Sequence, residues 1–210
     1  MNILILGVGN MGSALARQFT TAGHVVQMAA TSFAKAEQVA ATIAGASAVN
    51  ARQGTAAADV ILVATPYDQA AAALASAGSL DDKVVIDITN PLTADYTGLT
   101  VGHSTSAAEE LAKAFPAAHL VKAFNTLFAQ VVGEGAAFVN GQKAPTFIAS
   151  DSERAKSTAR SLAEGIGFNV IDAGPLRNAR YLEPLAGLNI HLGYTAGQGT
   201  GIAPTWLQRA

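Results

Sequence analysis

Three glycines, Gly7, Gly9 and Gly12, stand at G-x-G-x-x-G spacing within the stretch ILILGVGNMGSALA, residues 3–16. That spacing suits a main chain that must approach a phosphate. Gly7 permits a sharp turn, Gly9 presents no side chain to a pyrophosphate, and Gly12 lets a following helix pack close to the preceding strand. The unpaired N–H groups of the first helical turn, around Asn10 and Met11, then face the phosphates with the helix dipole behind them. A phosphate-free strand-to-helix turn would use the same glycines, so the context decides. An apolar run ends at Leu6 and an Ala-rich segment opens after the last glycine, which is the setting of a dinucleotide-binding corner.

Which dinucleotide it is depends on the end of the second strand, expected over 25–30. A site for the free ribose diol of NAD carries Asp or Glu there. Here the strand runs out through Ala29, Ala30, Thr31 and Ser32, and the first acidic residue of the chain is Glu37, inside the next helix. The hydroxyls of Thr31 and Ser32, with the ammonium of Lys35, suit a 2′-phosphate, so NADP(H) is the expected cofactor. Thr31 and Ser32 would also cap the helix opening at Phe33, and Lys35 also fits a solvated surface charge. Two further strand ends, VATP (63–66) and ITNP (88–91), are closed by proline. Ligands of doubly wound sheets lie beyond the carboxyl ends of strands, which places Val8, Ala64, Thr65, Pro66, Asn90 and Pro91 around the cofactor; the prolines would stop the strands in any case.

Other chemistry is sparse. The chain has no cysteine, which excludes disulfides, thiolate metal sites and a cysteine nucleophile. His24, His103, His119 and His191 show no ligand spacing, so no metal site is expected. No catalytic residue is certain; the candidates to touch a substrate are His103, in the loop 92–105, and Asn125, whose amide follows a strand directly and could reach a ring edge or cap a turn. GHSTS (102–106) sets a serine near a histidine without the G-x-S-x-G elbow, and helix capping accounts for its hydroxyls. Arg177 and Arg180 suit an anionic ligand tail, or surface pairs with Glu183 or Asp172.

The elements that must position these residues alternate. Strands are expected over 2–7, 25–30, 59–66, 83–91, 119–124, 145–150 and 168–174, the central ones as unbroken apolar runs buried on both faces. Helices are expected over 11–21, 33–45, 67–77, 106–115, from Ser150-x-x-Glu153 to Gly165 or Gly167, and through LEPLAGLNIHLGY. Ser106-Ala-Ala-Glu109 and Ser150-x-x-Glu153 read as capping boxes. The result is an α/β fold: a doubly wound, mostly parallel sheet with helices on both faces and a short α/β extension. The division falls softly near residue 120, with a dinucleotide-binding part over 1–120 and a part over 121–210 that completes an acceptor pocket.

Composition agrees. The 210 residues are 50% hydrophobic and 13% charged, as in a compact chain with much buried sheet. The net charge of −2 offers no basic field for nucleic acid or an anionic membrane. No apolar run reaches the ~20 residues of a membrane span, and no charged leader precedes the first strand, so a cytoplasmic protein acting on a small molecule is expected.

With GVGNMG and TNP, the stretches LVKAFNT (120–126) and DAGPLRNARYLEPL (172–185) make the chain resemble the F420-dependent NADP oxidoreductase family. That family includes the NADPH:deazaflavin oxidoreductases and the cytoplasmic reductase domains of the Steap metalloreductases. The resemblance runs from Ile3 to about Leu207. It implies a Rossmann domain holding NADP(H) and a C-terminal part closing a pocket over the nicotinamide, where a deazaflavin (coenzyme F420) or flavin exchanges a hydride. By position, Gly7, Gly9, Asn10, Met11 and Gly12 match the pyrophosphate loop and Lys35 a basic residue near the 2′-phosphate. Pro66, Asn90 and Pro91 fall near the nicotinamide. Thr31 and Ser32 depart from the pattern, since deazaflavin-reducing relatives often carry arginine there. Rival readings are a reductase like pyrroline-5-carboxylate reductase, whose start GNMGSA resembles, and an NADP-binding sensor without turnover. Relatives of the first kind carry a long all-helical second domain, whereas about 90 residues with two more strands remain here. A homodimer is expected, with the Gly-rich tail 193–204 and its continuation APTWLQ as a subunit contact or a lid.

Overall fold

The computed structural model describes residues 1–206 and 209; Leu207 and Gln208 of the APTWLQ tail lie outside the described residues. Six strands form one wholly parallel sheet: β1 (Asn2–Leu6), β2 (Val25–Ala29), β3 (Ala46–Ala48), β4 (Val60–Val63), β5 (Val84–Asp87) and β6 (His119–Lys122). Their order, β3-β2-β1-β4-β5-β6, reverses direction between β1 and β4, the switch point beside which a doubly wound fold binds its ligand. The helices between them are α1 (Asn10–Thr21), α2 (Phe33–Ala40), α3 (Ala51–Ala57), α4 (Tyr67–Ser76) and α5 (Ala107–Ala114). After β6 come α6 (Ala129–Glu134), the strand β7 (Pro145–Ile148), α7 (Glu153–Gly165), the strand β8 (Asn169–Asp172) and α8 (Ala179–Ile190). β7 and β8 pair in parallel as a second, small sheet.

Both faces of the large sheet are buried, with the period of two expected of strands. Ile3, Ile5, Val60, Leu62, Val84 and Ile86 pack with residues of α1, α6 and α7. Leu4, Leu6, Ile61, Val63 and Val85 pack with residues of α4, α5 and the start of α8. Packing outweighs local propensity here. α1 carries Gly12, which costs an interior helix position about 1 kcal/mol, yet it buries Leu15 and Phe19 completely, worth about 1.5–3 kcal/mol each.

Several boundaries differ from expectation. β3 and α3, in residues 46–57, have no sequence counterpart above, because ASA is too short and too weakly apolar to read as a strand. α2 ends at Ala40, and Gly45 closes a separate turn at φ +83°. The ground before β7 contains α6, built on Val131 and Val132. The N-cap of α7 is Ser152, whose hydroxyl accepts from Ala155 N; Ser150 is instead buried and donates to the Leu120 carbonyl at 2.6 Å. The box at Ser106 holds: its hydroxyl accepts from Glu109 N at 3.2 Å and donates to Glu109 Oε2 at 2.8 Å.

Candidate active site

The glycine corner closes as its residue types dictate. Gly7 has φ +112°, and a Cβ on it would run into the Ala64 carbonyl on β4's exit. A Cβ on Gly12 would meet the Gly7 carbonyl, so α1 reaches the strand only because this residue is bare. Gly9, the N-cap of α1, behaves differently. It is extended (φ −74°, ψ −173°), it is exposed, and a Cβ there would meet nothing within 4 Å. No packing inside the chain calls for a glycine at this position, whereas a diphosphate against the first turn of α1 would use the space. The α1 cap makes no side-chain hydrogen bond, which leaves its leading N–H groups for a ligand.

Around this corner lie the exits of β4, β5 and β6, and buried polar atoms without partners gather there. Among the described residues, four buried side-chain atoms lack a hydrogen-bond partner: Thr65 Oγ1 after β4, Thr89 Oγ1 after β5, and Asn125 Oδ1 and Thr126 Oγ1 after β6. Buried polar atoms are normally paired, so this grouping at strand ends fits a bound polar ligand. The residues present therefore suit a dinucleotide on two counts, the open position at Gly9 and the unmet oxygens along the sheet's mouth.

Beside the corner, a cavity of about 220 Å³ draws its walls from both ends of the chain. Its lining includes Met11, Ile88 and Asn90 together with Phe124, Phe128 and Ile190. Phe124 is fully buried yet sits at φ +59°, a left-handed conformation unfavourable for a non-glycine residue. Its N–H donates to Thr146 Oγ1 of β7 at 3.0 Å, and its ring packs edge-on against Phe19. Residues 125–128, which follow this turn, line the pocket. Asn90 and Asn125 clasp each other: Asn90 Nδ2 donates to the Asn125 carbonyl at 2.8 Å, and Asn125 Nδ2 donates to Asn90 Oδ1 at 3.0 Å and to the Leu182 carbonyl of α8 at 3.1 Å. A groove of about 840 Å³ adjoins the pocket, sharing Phe128, Ala129 and Tyr194, and runs past Val8, Asn10 and Lys35.

A buried charge cluster joins the ends of β5 and β6 to α8. Lys122 Nζ, at the end of β6, contacts Asp87 Oδ2 at 2.7 Å, Glu183 Oε1 at 2.9 Å and the Thr89 carbonyl at 2.6 Å. All three charged side chains are at most 1% exposed. Burial alone would pull the lysine down, but the two carboxylates and their hydrogen bonds outweigh it and hold its pKa above the ordinary value. Glu183 also accepts from Ala107 N and Ala108 N, so α8 caps α5 with a carboxylate at the positive end of the helix dipole. Between α8 and α5, Arg180 forks onto Glu109 at 2.6 and 2.8 Å and holds that carboxyl below its ordinary pKa. Tyr67, which opens α4, is pushed up by burial and then by Glu110, Glu183 and Asp87, so its phenol stays protonated at neutral pH.

The sequence candidates divide by place. Gly7, Val8, Gly9, Asn10, Met11, Gly12, Ala64, Thr65, Pro66, Asn90 and Pro91 cluster at the corner and the neighbouring strand exits, and Asn125 joins them at the pocket. Thr31, Ser32 and Lys35 are exposed just past β2, and Ser32 also caps α2 by accepting from Lys35 N. His103 sits exposed in its loop at φ +58° and lines neither cavity. Arg180 pairs with Glu109, and Glu183 with Lys122, so neither surface pairing considered for Arg180 occurs; Asp172 instead meets Lys156 at 3.0 Å. Arg177 is exposed. Missed were the Lys122 cluster, Thr126 and the aromatic walls. The signal for the first was present: an Asp closes the otherwise apolar β5, and a Lys closes β6 after Leu120 and Val121.

Among the described residues, no helix is long and apolar enough to cross a membrane, and no group of three or more His, Asp or Glu is placed to hold a metal. Residues 2–91 match the family model described as NADP oxidoreductase, coenzyme F420-dependent. A candidate F420-dependent NADP reductase from Arthrobacter sp. FB24 superposes with a TM-score of 0.85 at 28% identity, over 95% of this chain and 96% of that one. The hypothetical protein SMa0349 of Sinorhizobium meliloti aligns at 27% identity with a TM-score of 0.76, over 84% of this chain and 86% of its own. Metalloreductase STEAP3 of Rattus norvegicus is 33% identical over 127 residues, 60% of this chain and 25% of that protein; the chain thus spans about a quarter of that relative's length. A reductive aminase from Aspergillus terreus, solved with NADPH4, shares the fold at 20% identity and a TM-score of 0.68, over 93% of this chain and 62% of its own. The glycine corner and the exits of β4 and β5 thus lie within residues 2–91, the stretch that matches the family model of coenzyme F420-dependent NADP oxidoreductases.

Proposed function

We propose that the chain is an NADP(H)-dependent oxidoreductase that exchanges a hydride between nicotinamide and a flat acceptor of the deazaflavin or flavin kind. The observation that carries this is the juxtaposition of the open Gly9 corner with an apolar-walled pocket built from residues on both sides of residue 120. The first 120 residues serve the nucleotide and the remainder completes the acceptor pocket. The N–H groups opening α1, with Gly9 bare beside them, hold the diphosphate. Thr31, Ser32 and Lys35 hold the 2′-phosphate, and Ala64, Thr65, Pro66, Asn90 and Pro91 flank the ribose and ring. When bound, NADPH supplies the hydride. The protein's part is alignment and exclusion of water by Met11, Phe128 and Ile190, with no acid or base required. A pocket of this kind next to the corner favours turnover over a sensor role. A homodimer belongs to the same proposal, supported by Tyr181 and Leu188, which α8 leaves 74% and 55% exposed; its elution volume in size-exclusion chromatography checks this.

The test mixes the protein with NADPH and either FMN or coenzyme F420 and follows loss of NADPH absorbance, with calorimetry of NADPH and NADH alongside. Oxidation with at least one flat acceptor and tighter binding of NADPH than NADH are expected. Tight nucleotide binding with no oxidation by any such acceptor would refute the enzyme reading.

A further inference from the structure

The turn after β6 carries two buried oxygens that no group of the described residues meets. Asn125 and Thr126 are 4% and 2% exposed, and both line the 220 Å³ pocket. The orientation of the Asn125 amide follows from its partners. The Leu182 carbonyl can only accept, so the atom 3.1 Å from it is Nδ2. Asn90 is settled the same way, since its Nδ2 meets the Asn125 carbonyl and its Oδ1 must then face Asn125 Nδ2. Both donors of the Asn125 amide are thus spent, and Oδ1 remains as an acceptor with no donor. Its neighbour's hydroxyl, Thr126 Oγ1, has no partner either, although the Thr126 carbonyl is taken by Asn189 Nδ2 of α8 at 3.1 Å. The segment is therefore clamped through its other polar groups, while one fixed acceptor and one rotatable hydroxyl on consecutive residues stay unused. Buried groups of this kind are costly to leave unmet, and ligand sites are where such unpaired groups are explained.

We propose that Asn125 Oδ1 and Thr126 Oγ1 together read an amide-type edge, N–H beside C=O, on a ring bound in the pocket. Asn125 Oδ1 accepts the N–H, which Asn125 itself cannot supply, and the Thr126 hydroxyl donates to the adjacent carbonyl. Two sources share that chemistry: the carboxamide of nicotinamide, and the ring imide of a flavin or deazaflavin acceptor. The inference rests on the function proposed above and makes this turn its specificity determinant.

Thr126→Val tests it on the protein side, because the shape is kept and the hydroxyl has no partner among the described residues to lose. The expected result is an unchanged or higher melting temperature with roughly tenfold weaker binding of NADPH, by calorimetry, or of riboflavin, by fluorescence with NADP⁺ present. On the ligand side, the wild-type chain is titrated with NADPH and its 3-acetylpyridine analogue, in which methyl replaces the amide nitrogen. It is also titrated with riboflavin and 3-methylriboflavin, in which the imide N–H is blocked. Roughly tenfold discrimination within the nucleotide pair assigns the edge to nicotinamide; within the flavin pair, to the acceptor. Equal affinities within both pairs, or a Thr126→Val chain that loses melting temperature and binds as before, would overturn the proposal. A wild-type chain that binds neither NADPH nor riboflavin refutes the cofactor reading instead, and is told apart because no affinities remain to compare.

Discussion

Replacing Lys122 by methionine removes one buried ammonium and leaves two buried carboxylates. In the intact chain, Nζ serves Asp87, Glu183 and the Thr89 carbonyl at 2.6–2.9 Å. After the change, Asp87 keeps only the Thr89 N–H at 2.8 Å, while Glu183 keeps the N–H groups of Ala107 and Ala108. Removing one partner from a buried pair costs about 3–5 kcal/mol. At about 2–4 °C per kcal/mol for a chain of this size, the melting temperature should fall by roughly 6–20 °C. Adding Asp87→Asn removes the less supported carboxylate and should restore about half of the loss. The lysine's folded pKa is raised, so its contribution is complete at every pH below the ordinary 10.5 and is lost only as pH rises through the folded value. The lysine therefore adds no change to the deficit of Lys122→Met between pH 6 and 9. Thermal and urea unfolding followed by circular dichroism measure both quantities. A Lys122→Met chain within about 1 kcal/mol of wild type would refute the view that one ammonium neutralises this cluster.

The two glycines of the corner should separate. Gly12→Ala forces a Cβ onto the Gly7 carbonyl and should cost about 1–3 kcal/mol in unfolding experiments. Gly9→Ala, facing open space, should change stability by less than about 1 kcal/mol while weakening NADPH roughly tenfold by calorimetry. Lys35→Gln should narrow the preference for NADPH over NADH about tenfold if the proposed charge-assisted contact to the 2′-phosphate exists, and an unchanged preference refutes that role. The Arg180 fork lowers the Glu109 pKa, so that pairing stabilises the fold above the ordinary 4.5 and is lost as pH falls through the folded value; Arg180→Gln should reduce the loss of melting temperature between pH 5 and 3, read by calorimetric scanning.

What the sequence discloses follows from how local the physics is. β1, β4 and β5 are legible because strands buried on both faces read as near-continuous apolar runs, with Asn2 and Asp87 only at their ends, and α5 because its cap and first turn lie within four residues. β3 and α6 are not, since each owes its conformation to the neighbour it packs on. The glycine corner is legible because its spacing falls between an apolar strand and an Ala-rich helix, a context that the sequence itself displays. The pocket is not, because its walls come from residues as distant as Met11 and Ile190, and because Phe124 adopts a left-handed turn that its side chain disfavours. His103 shows the converse: a histidine in a polar loop invites a catalytic role, but the loop carries it away from both cavities.

The pairing of Lys122 with Ala149 bears on how the protein behaves at high concentration. β6 is an edge of the large sheet, and an uncovered edge is a template on which another chain can add a strand. Here Lys122 and Ala149 exchange both backbone hydrogen bonds, at 2.9 and 3.0 Å, and the chain folds back over its own border. The opposite border, β3, is three residues long and carries a serine. With β6 bridged at its end and β3 curtailed, strand addition to the large sheet has little to build on.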